Sequence, residues 1–289
     1  MVRIVVDSST CLDPNEAAKI GIDVVPLIVI MDGKAYRDFL DLTPTEFYRI
    51  LRTNDVQATT SAPSVGDYLR YFNQANSDIV CLTVANTITS MYQAAVSAAN
   101  LFMESRNGAK PEIYVVDTKT AAGGLRLLAL EAAKVAAQGK SAKDIVERVN
   151  QLIPKIRMFG ALETVSFLAR SGRIPQVASW GTSLLRVRPV VSFRDGKGQL
   201  LQLARSADGM VKALVSQVDA NMKSERKKLR RQPDLHATVF HADEVKLAQK
   251  LIDIILSKYP HADVSISEFT PVMGAHTGPG VLGLAFFIE

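Results

Sequence analysis

Asp78-Ile79-Val80-Cys81-Leu82-Thr83-Val84 is a continuous apolar run with no polar alternation. A strand apolar on both sides belongs inside a sheet covered on both faces, the habit of parallel sheets with helical crossovers. It runs into Ala85-Asn86-Thr87-Ile88-Thr89-Ser90-Met91-Tyr92-Gln93, a hydroxyl-rich turn that opens a helix pattern. The same grammar recurs on either side. Upstream, Ile4-Val5-Val6 ends in Asp7-Ser8-Ser9-Thr10, and Asp13-Pro14-Asn15-Glu16 starts a helix by capping chemistry. Downstream, Glu112 to Val116 ends in Asp117-Thr118-Lys119-Thr120, and a Leu/Ala helix follows from Ala121 to about Ala137. Strands alternating with helices make residues 1–153 a doubly wound α/β domain.

Between the first two of these strands, a strand is predicted from Asp23 to Met31, up to the Asp32-Gly33 turn. A helix opened by the Thr43-Pro44-Thr45-Glu46 capping box follows. Then comes Thr59-Thr60-Ser61-Ala62-Pro63-Ser64, four hydroxyls in six residues ahead of a helix with Val65, Leu69 and Phe72 on one face. Hydroxyls donate hydrogen bonds without carrying charge, and a helix start adds free N–H groups, so the run suits an anion as well as ordinary capping. With the turn at Thr89, two such stretches at strand ends would converge on one anionic group.

Past Pro154 the pattern changes to a mixed α+β domain, residues 154–289. Strands are predicted at Met158–Val165, Ala237–His241, Asp263–Phe269 and Gly283–Ile288, and helices at 208–231 and 243–258. Phe167–Gly172 reads as a short helix ended by glycine, and Ser179–Arg186 as another helical piece. Arg188–Phe193 and Gln199–Ala204 read as a hairpin around Asp195-Gly196-Lys197-Gly198, a loop longer than two residues. In Thr270 to Gly283, four glycines and two prolines frame His276-Thr277, as in a loop held close to a partner with its backbone exposed.

The 289 residues are 47% hydrophobic and 22% charged, a globular composition with room for a large core. No apolar run approaches the roughly 18 residues of a membrane span, and the first residues read as a strand rather than a signal peptide, so the expected location is the cytoplasm. Cys11 and Cys81 lack redox or zinc spacing and read as reduced and structural. The net charge of +5 is spread out, and its densest cluster, Lys223 to Arg231, closes a helix pattern whose dipole it complements. Nucleic-acid binding is therefore not expected.

Taken together, several motifs resemble the DegV family, which includes the fatty-acid-binding subunits of bacterial fatty acid kinases. They are Asp7-Ser8-Ser9, Thr60-Ser61-Ala62-Pro63, Thr89-Ser90-Met91-Tyr92-Gln93, Val116-Asp117-Thr118, Leu168-Ala169-Arg170-Ser171-Gly172-Arg173-Ile174, Arg188-Pro189-Val190 and Pro271 through Gly283. The resemblance implies a two-domain fold with a long-chain fatty acid such as palmitate in a tunnel between the domains. By match to the motifs, Thr60 and Thr89 would bind the carboxylate, Ser61 and His276 would support the same network, and Thr277 would stand beside them. It further implies a separate ATP-binding kinase subunit that docks at Arg173 and Arg170, no cofactor and no metal, and a non-catalytic role in fatty acid metabolism or lipid transport. Thr89-Ser90 stands where the family commonly has Ser-Gly, Asn86 where it has Ser, and Arg188 where it has Lys. Thr89 keeps the hydroxyl, whereas Ser90 adds a Cβ where glycine's freedom is usual.

The competing reading is a serine hydrolase acting on a lipid or small ester through Asp7, Ser61 and His276. It lacks a Gly-x-Ser-x-Gly elbow, and a triad is defined by geometry rather than by sequence. Nucleotide binding by this chain is not expected, because no Walker-type loop is present.

Overall fold

The structure is a computed structural model, and it describes residues 1–53, 56–105, 111–173 and 187–289. In chain order its elements begin with β1 (Arg3–Asp7), α1 (Pro14–Lys19), β2 (Ile22–Val25), β3 (Ile28–Met31), β4 (Lys34–Arg37), α2 (Pro44–Thr53), β5 (Ala58–Ser61), α3 (Val65–Asn73) and β6 (Ile79–Thr83). They continue with α4 (Met91–Ser105), β7 (Ile113–Asp117), α5 (Ala122–Ala137), α6 (Ala142–Leu152), β8 (Arg157–Ala161), α7 (Ser166–Ser171) and β9 (Arg188–Arg194). The last are β10 (Lys197–Ala204), α8 (Ala207–Leu229), β11 (Leu235–His241), α9 (Val245–Lys258), β12 (Asp263–Glu268), α10 (Pro271–Thr277) and β13 (Leu282–Ile288).

The apolar strand at Ile79 is β6, inside a parallel sheet of order β2-β1-β6-β7. Alternate residues face opposite ways, as the pleat requires. Val5, Ile79 and Cys81 pack under Tyr68, Phe72 and Phe102 of α3 and α4. Ile4, Val6, Val80 and Leu82 pack with Leu125, Leu128 and Val149 of α5 and α6. This is the layered α/β arrangement the sequence predicts.

The predicted strand from Asp23 to Met31 is instead two strands in different sheets. Proline has no N–H for a ladder and fixes φ, and Pro26 separates β2, in the parallel sheet, from β3. β3 is the centre of a small antiparallel sheet, β4-β3-β5. The hydroxyl run is therefore not a turn throughout. Its first residues form β5, with Thr60 opposite Val29 and Ser61 opposite Ile28, and Ser64 caps α3 through a capping box with Asp67.

From β8 onward the strands form one six-stranded mixed sheet of order β10-β9-β8-β13-β11-β12, antiparallel except for β11 with β12. Helices α8 and α9 bury Met210, Leu214, Leu251 and Ile255 against one face. The other face, with Phe240, Ala285 and Phe287, joins the core of the parallel sheet. Helix α5 lies between the two sheets and comes close because it starts with glycines: a methyl on Gly123 would lie 2.7 Å from Phe240 Cδ1 and 3.1 Å from the Ala285 Cβ.

Three details differ from the sequence expectation. The β9–β10 hairpin turns on two residues, Asp195 and Gly196, both at positive φ as in a type I′ turn, so Lys197 and Gly198 belong to the strand. Thr270–Gly283 is not loop throughout, because Thr270 caps a helix with Pro271 in its first turn and Gly278 ends it at φ 75°. The strand beginning near Met158 stops at Ala161, ahead of α7, which Gly172 ends in the left-handed conformation as expected. The helical piece predicted at Ser179–Arg186 lies outside the described residues. Cys11 and Cys81 are free and buried. Among the described residues no helix is long and apolar enough to cross a membrane.

Candidate functional site

A cavity lies between the parallel sheet with its strand-end loops and the inner face of the mixed sheet, enclosing about 1060 Å³ of space that is partly open to solvent. Its walls are mostly apolar. Leu27, Val84, Ile88 and Met91 line it from the first side, and Met158, Leu162, Phe193, Phe240, Phe269 and Val281 from the second. An apolar lining closed by a few polar groups is typical of a small-molecule site.

The polar end is built by three segments. Strand β5 presents Thr60, the turn before α4 presents Thr89, and α10 presents His276 and Thr277, all four on the cavity wall. Thr60 Oγ1 and His276 Nε2 are 2.8 Å apart. Burial pushes the His276 imidazole down to about 4, helped by the positive charge of Arg173, so the ring is neutral at physiological pH. Thr89 Oγ1 accepts from the Met91 N–H at 2.9 Å and so caps α4, which leaves its own hydroxyl proton unspent. Thr277 has spent its proton, donating back to the Met273 carbonyl at 2.9 Å. Ser90 avoids positive φ, so the absence of glycine there imposes no backbone strain.

Ser61 is not in this group. Successive residues of a strand point to opposite faces, so with Thr60 aimed inward Ser61 is exposed and its Oγ donates to the Ala62 carbonyl at 3.4 Å. The Asp7–Ser61–His276 arrangement fails for the same reason: His276 is bonded to Thr60, and the Asp7 carboxylate to the Ser9 hydroxyl and N–H. Arg173 is exposed at the cavity's polar end, its Nη1 donating to the Ser171 carbonyl at 3.1 Å, and the exposed Arg170 guanidinium lies 4.8 Å from the Phe167 ring centroid. Among the described residues no group of three or more His, Cys, Asp or Glu is placed to hold a metal ion.

One buried group escaped the sequence reading. Asp38, just after β4, accepts from Ser8 Oγ at 2.6 Å and from the Val272 N–H at 3.2 Å, tying the end of β1 to the start of the helix that carries His276. Ser8 Oγ in turn accepts from the Leu27 N–H at 3.1 Å. Burial pushes Asp38 up to about 7 and Asp7, at the end of β1, up to about 6.

The family model described as "Uncharacterised protein, DegV family" matches residues 1–289. A DegV domain-containing protein of Halalkalibacterium halodurans is 30% identical over 295 residues, covering 100% of this chain and 99% of the relative. Among solved structures, a stearic acid-binding protein from Eubacterium ventriosum superposes with a TM-score of 0.86 at 25% identity, covering 99% of this chain and 98% of its own. The Streptococcus pneumoniae Fatty Acid Kinase (Fak) B3 protein, solved with linoleic acid, superposes with a TM-score of 0.83 at 24% identity over the whole of both chains. Matched along its full length by the family model, the chain belongs to the DegV family.

Proposed function

We propose that the chain is a non-catalytic carrier that buries the tail of a long-chain fatty acid, such as palmitate, in the cavity and presents the carboxylate at Thr60 and Thr89. The observation that carries this is an apolar cavity whose polar end offers hydroxyl protons beside a neutral histidine. Each buried methylene contributes roughly 0.8 kcal/mol, so the tail supplies most of the affinity. The carboxylate needs donors once it leaves water, and neutral hydroxyls satisfy it without pairing it so tightly that it loses nucleophilicity. If the His276 proton sits on Nε2, Thr60 accepts from the ring and its own hydroxyl is free to donate to the acid. The start of α4, two residues after Thr89, adds the positive end of a helix dipole.

The stearic acid and linoleic acid ligands of related structures support the ligand class, and the fatty acid kinase B3 relative supports a partner kinase. In that role a carboxylate oxygen attacks the γ-phosphorus of ATP held by the kinase subunit, ADP leaves, and an acyl phosphate remains in the carrier. Arg170 and Arg173 stand exposed beside the head-group end and would face that subunit. Work in the cytoplasm suits two reduced buried thiols. The test is reconstitution with labelled palmitate, Mg-ATP and the kinase subunit of the same organism, trapping product as the hydroxamate. Product should require this chain and should fall more with Arg173→Ala than palmitate affinity does; equal product without the chain would refute the carrier role.

A further inference from the structure

The Thr60–His276 pair joins two elements 216 residues apart in sequence. Helix α10 has seven residues and β5 has four, and pieces this short take their place from their neighbours. Part of that support is apolar. A methyl on Gly274 would lie 2.7 Å from Phe47 Cε1, so α2 presses closely on the side of α10. Such packing sets how near two elements come, whereas directed hydrogen bonds set their rotation and register.

Directed bonds from both elements converge on Asp38, which is 1% exposed and stands behind the cavity wall. In the first turn of α10 the Val272 N–H donates to Oδ1 at 3.2 Å, and the hydroxyl of Thr270, the residue that caps the helix, also bonds this carboxylate. From the other side, Ser8 Oγ donates to Oδ2 at 2.6 Å and accepts from the Leu27 N–H at 3.1 Å. The Asp38 N–H donates to the Leu27 carbonyl at 2.9 Å, so Leu27 is held at both its backbone polar groups. Leu27 leads directly into β3, where Val29 stands opposite Thr60. Leu27 and Val272 are themselves on the cavity wall.

The directions of these bonds suit a carboxylate. Ser8 accepts from Leu27, and Thr270 accepts from the Met273 N–H at 3.4 Å, so each has its own proton left for Asp38. A carboxylate accepts at both oxygens, whereas an amide of the same shape accepts at one and turns N–H groups toward the donors at the other.

We propose that Asp38 is a positioning residue for the head group, holding the sheet of Thr60 and the helix of His276 in the register at which both meet a carboxylate; this rests on the fatty-acid reading above. Donors already in place bind without the cost of being ordered by the ligand, and a displacement of about 1 Å is enough to lose such a hydrogen bond.

The experiment compares palmitate with 1-hexadecanol, which has the same tail length and a neutral head that asks less of the donors. Both are measured on one preparation by displacement of a fluorescent fatty acid, at pH 8, above the value of about 7 to which burial raises Asp38. Asp38→Asn should lower the palmitate-to-hexadecanol affinity ratio roughly tenfold, and Ser8→Ala, which leaves the Val272 bond in place, should lower it by roughly threefold. A role in stability alone would weaken both ligands together. An unchanged ratio in folded Asp38→Asn protein, or in Ser8→Ala protein where the first variant does not fold, would overturn this inference alone. Failure of the unaltered protein to bind palmitate would overturn the fatty-acid reading and this inference with it.

Discussion

Replacing Thr60 with valine keeps the shape of a β-branched side chain in strand β5 and removes one hydroxyl. In the structure that hydroxyl is the 2.8 Å partner of His276 Nε2 and the inward-facing group of its strand. The bound carboxylate then loses a neutral donor, and a mostly buried ring nitrogen loses its partner in the free protein. Leaving such a group unsatisfied costs about 1–3 kcal/mol. The acid loses the donor only in the complex, so dissociation constants should rise roughly 5- to 150-fold, at about 1.4 kcal/mol per decade. Isothermal titration with palmitate reads this directly. Ser61→Ala, one residue away on the other face of the strand, is the internal control and should leave the dissociation constant within about twofold, as a surface change should. Folded Thr60→Val with unchanged affinity, or an equal loss from Ser61→Ala, would refute the assignment of Thr60 to the head group.

The His276 imidazole should titrate in the NMR spectrum near 4 rather than near 6.5, and bound acid should favour the Nε2–H tautomer; a midpoint above 6 would contradict the burial seen here. Its depressed value contributes stability that is present above 6.5 and lost as pH falls through about 4. Asp38 runs the opposite way: raised to about 7, it contributes stability present below 3.8 and lost as pH rises through 7. The urea stability of the wild type relative to Asp38→Asn should therefore fall by on the order of 2 kcal/mol between pH 5 and pH 8, and a constant difference would mean that Asp38 does not titrate there. Gly196→Ala should destabilise by about 1–3 kcal/mol, because φ is 73° and the new Cβ would lie 1.7 Å from Thr87 Oγ1 in the loop that leads to Thr89. An unaltered urea midpoint would show that the hairpin tip does not press on that loop.

The parallel sheet was legible because β1, β6 and β7 are short apolar runs that end in turn chemistry, and that grammar is local. β5 was not, since Ala58-Thr59-Thr60-Ser61 has no apolar face to announce a strand and owes its conformation to β3 beside it. The expectation for Ser61 came with the motif match, which carries no strand geometry: in β5 only every second hydroxyl faces the cavity, and Ser61 lies on the exposed side. The helix α10 was hidden by its glycine and proline, although Thr270 followed by Pro271 is a capping signal. Met158, Phe240 and Phe269 line the cavity, yet nothing in sequence separates a side chain facing a cavity from one facing its neighbours. Asp38 carried no signal either, because its role depends on Ser8 and Val272, 30 and 234 residues away.

The carrier account is tested most directly by what the protein brings with it. Gentle purification, extraction with organic solvent and mass spectrometry should recover about one long-chain fatty acid per chain, and Thr60→Val protein prepared in parallel should carry less. Recovery of no fatty acid, together with failure of the purified protein to take up palmitate, would contradict the account.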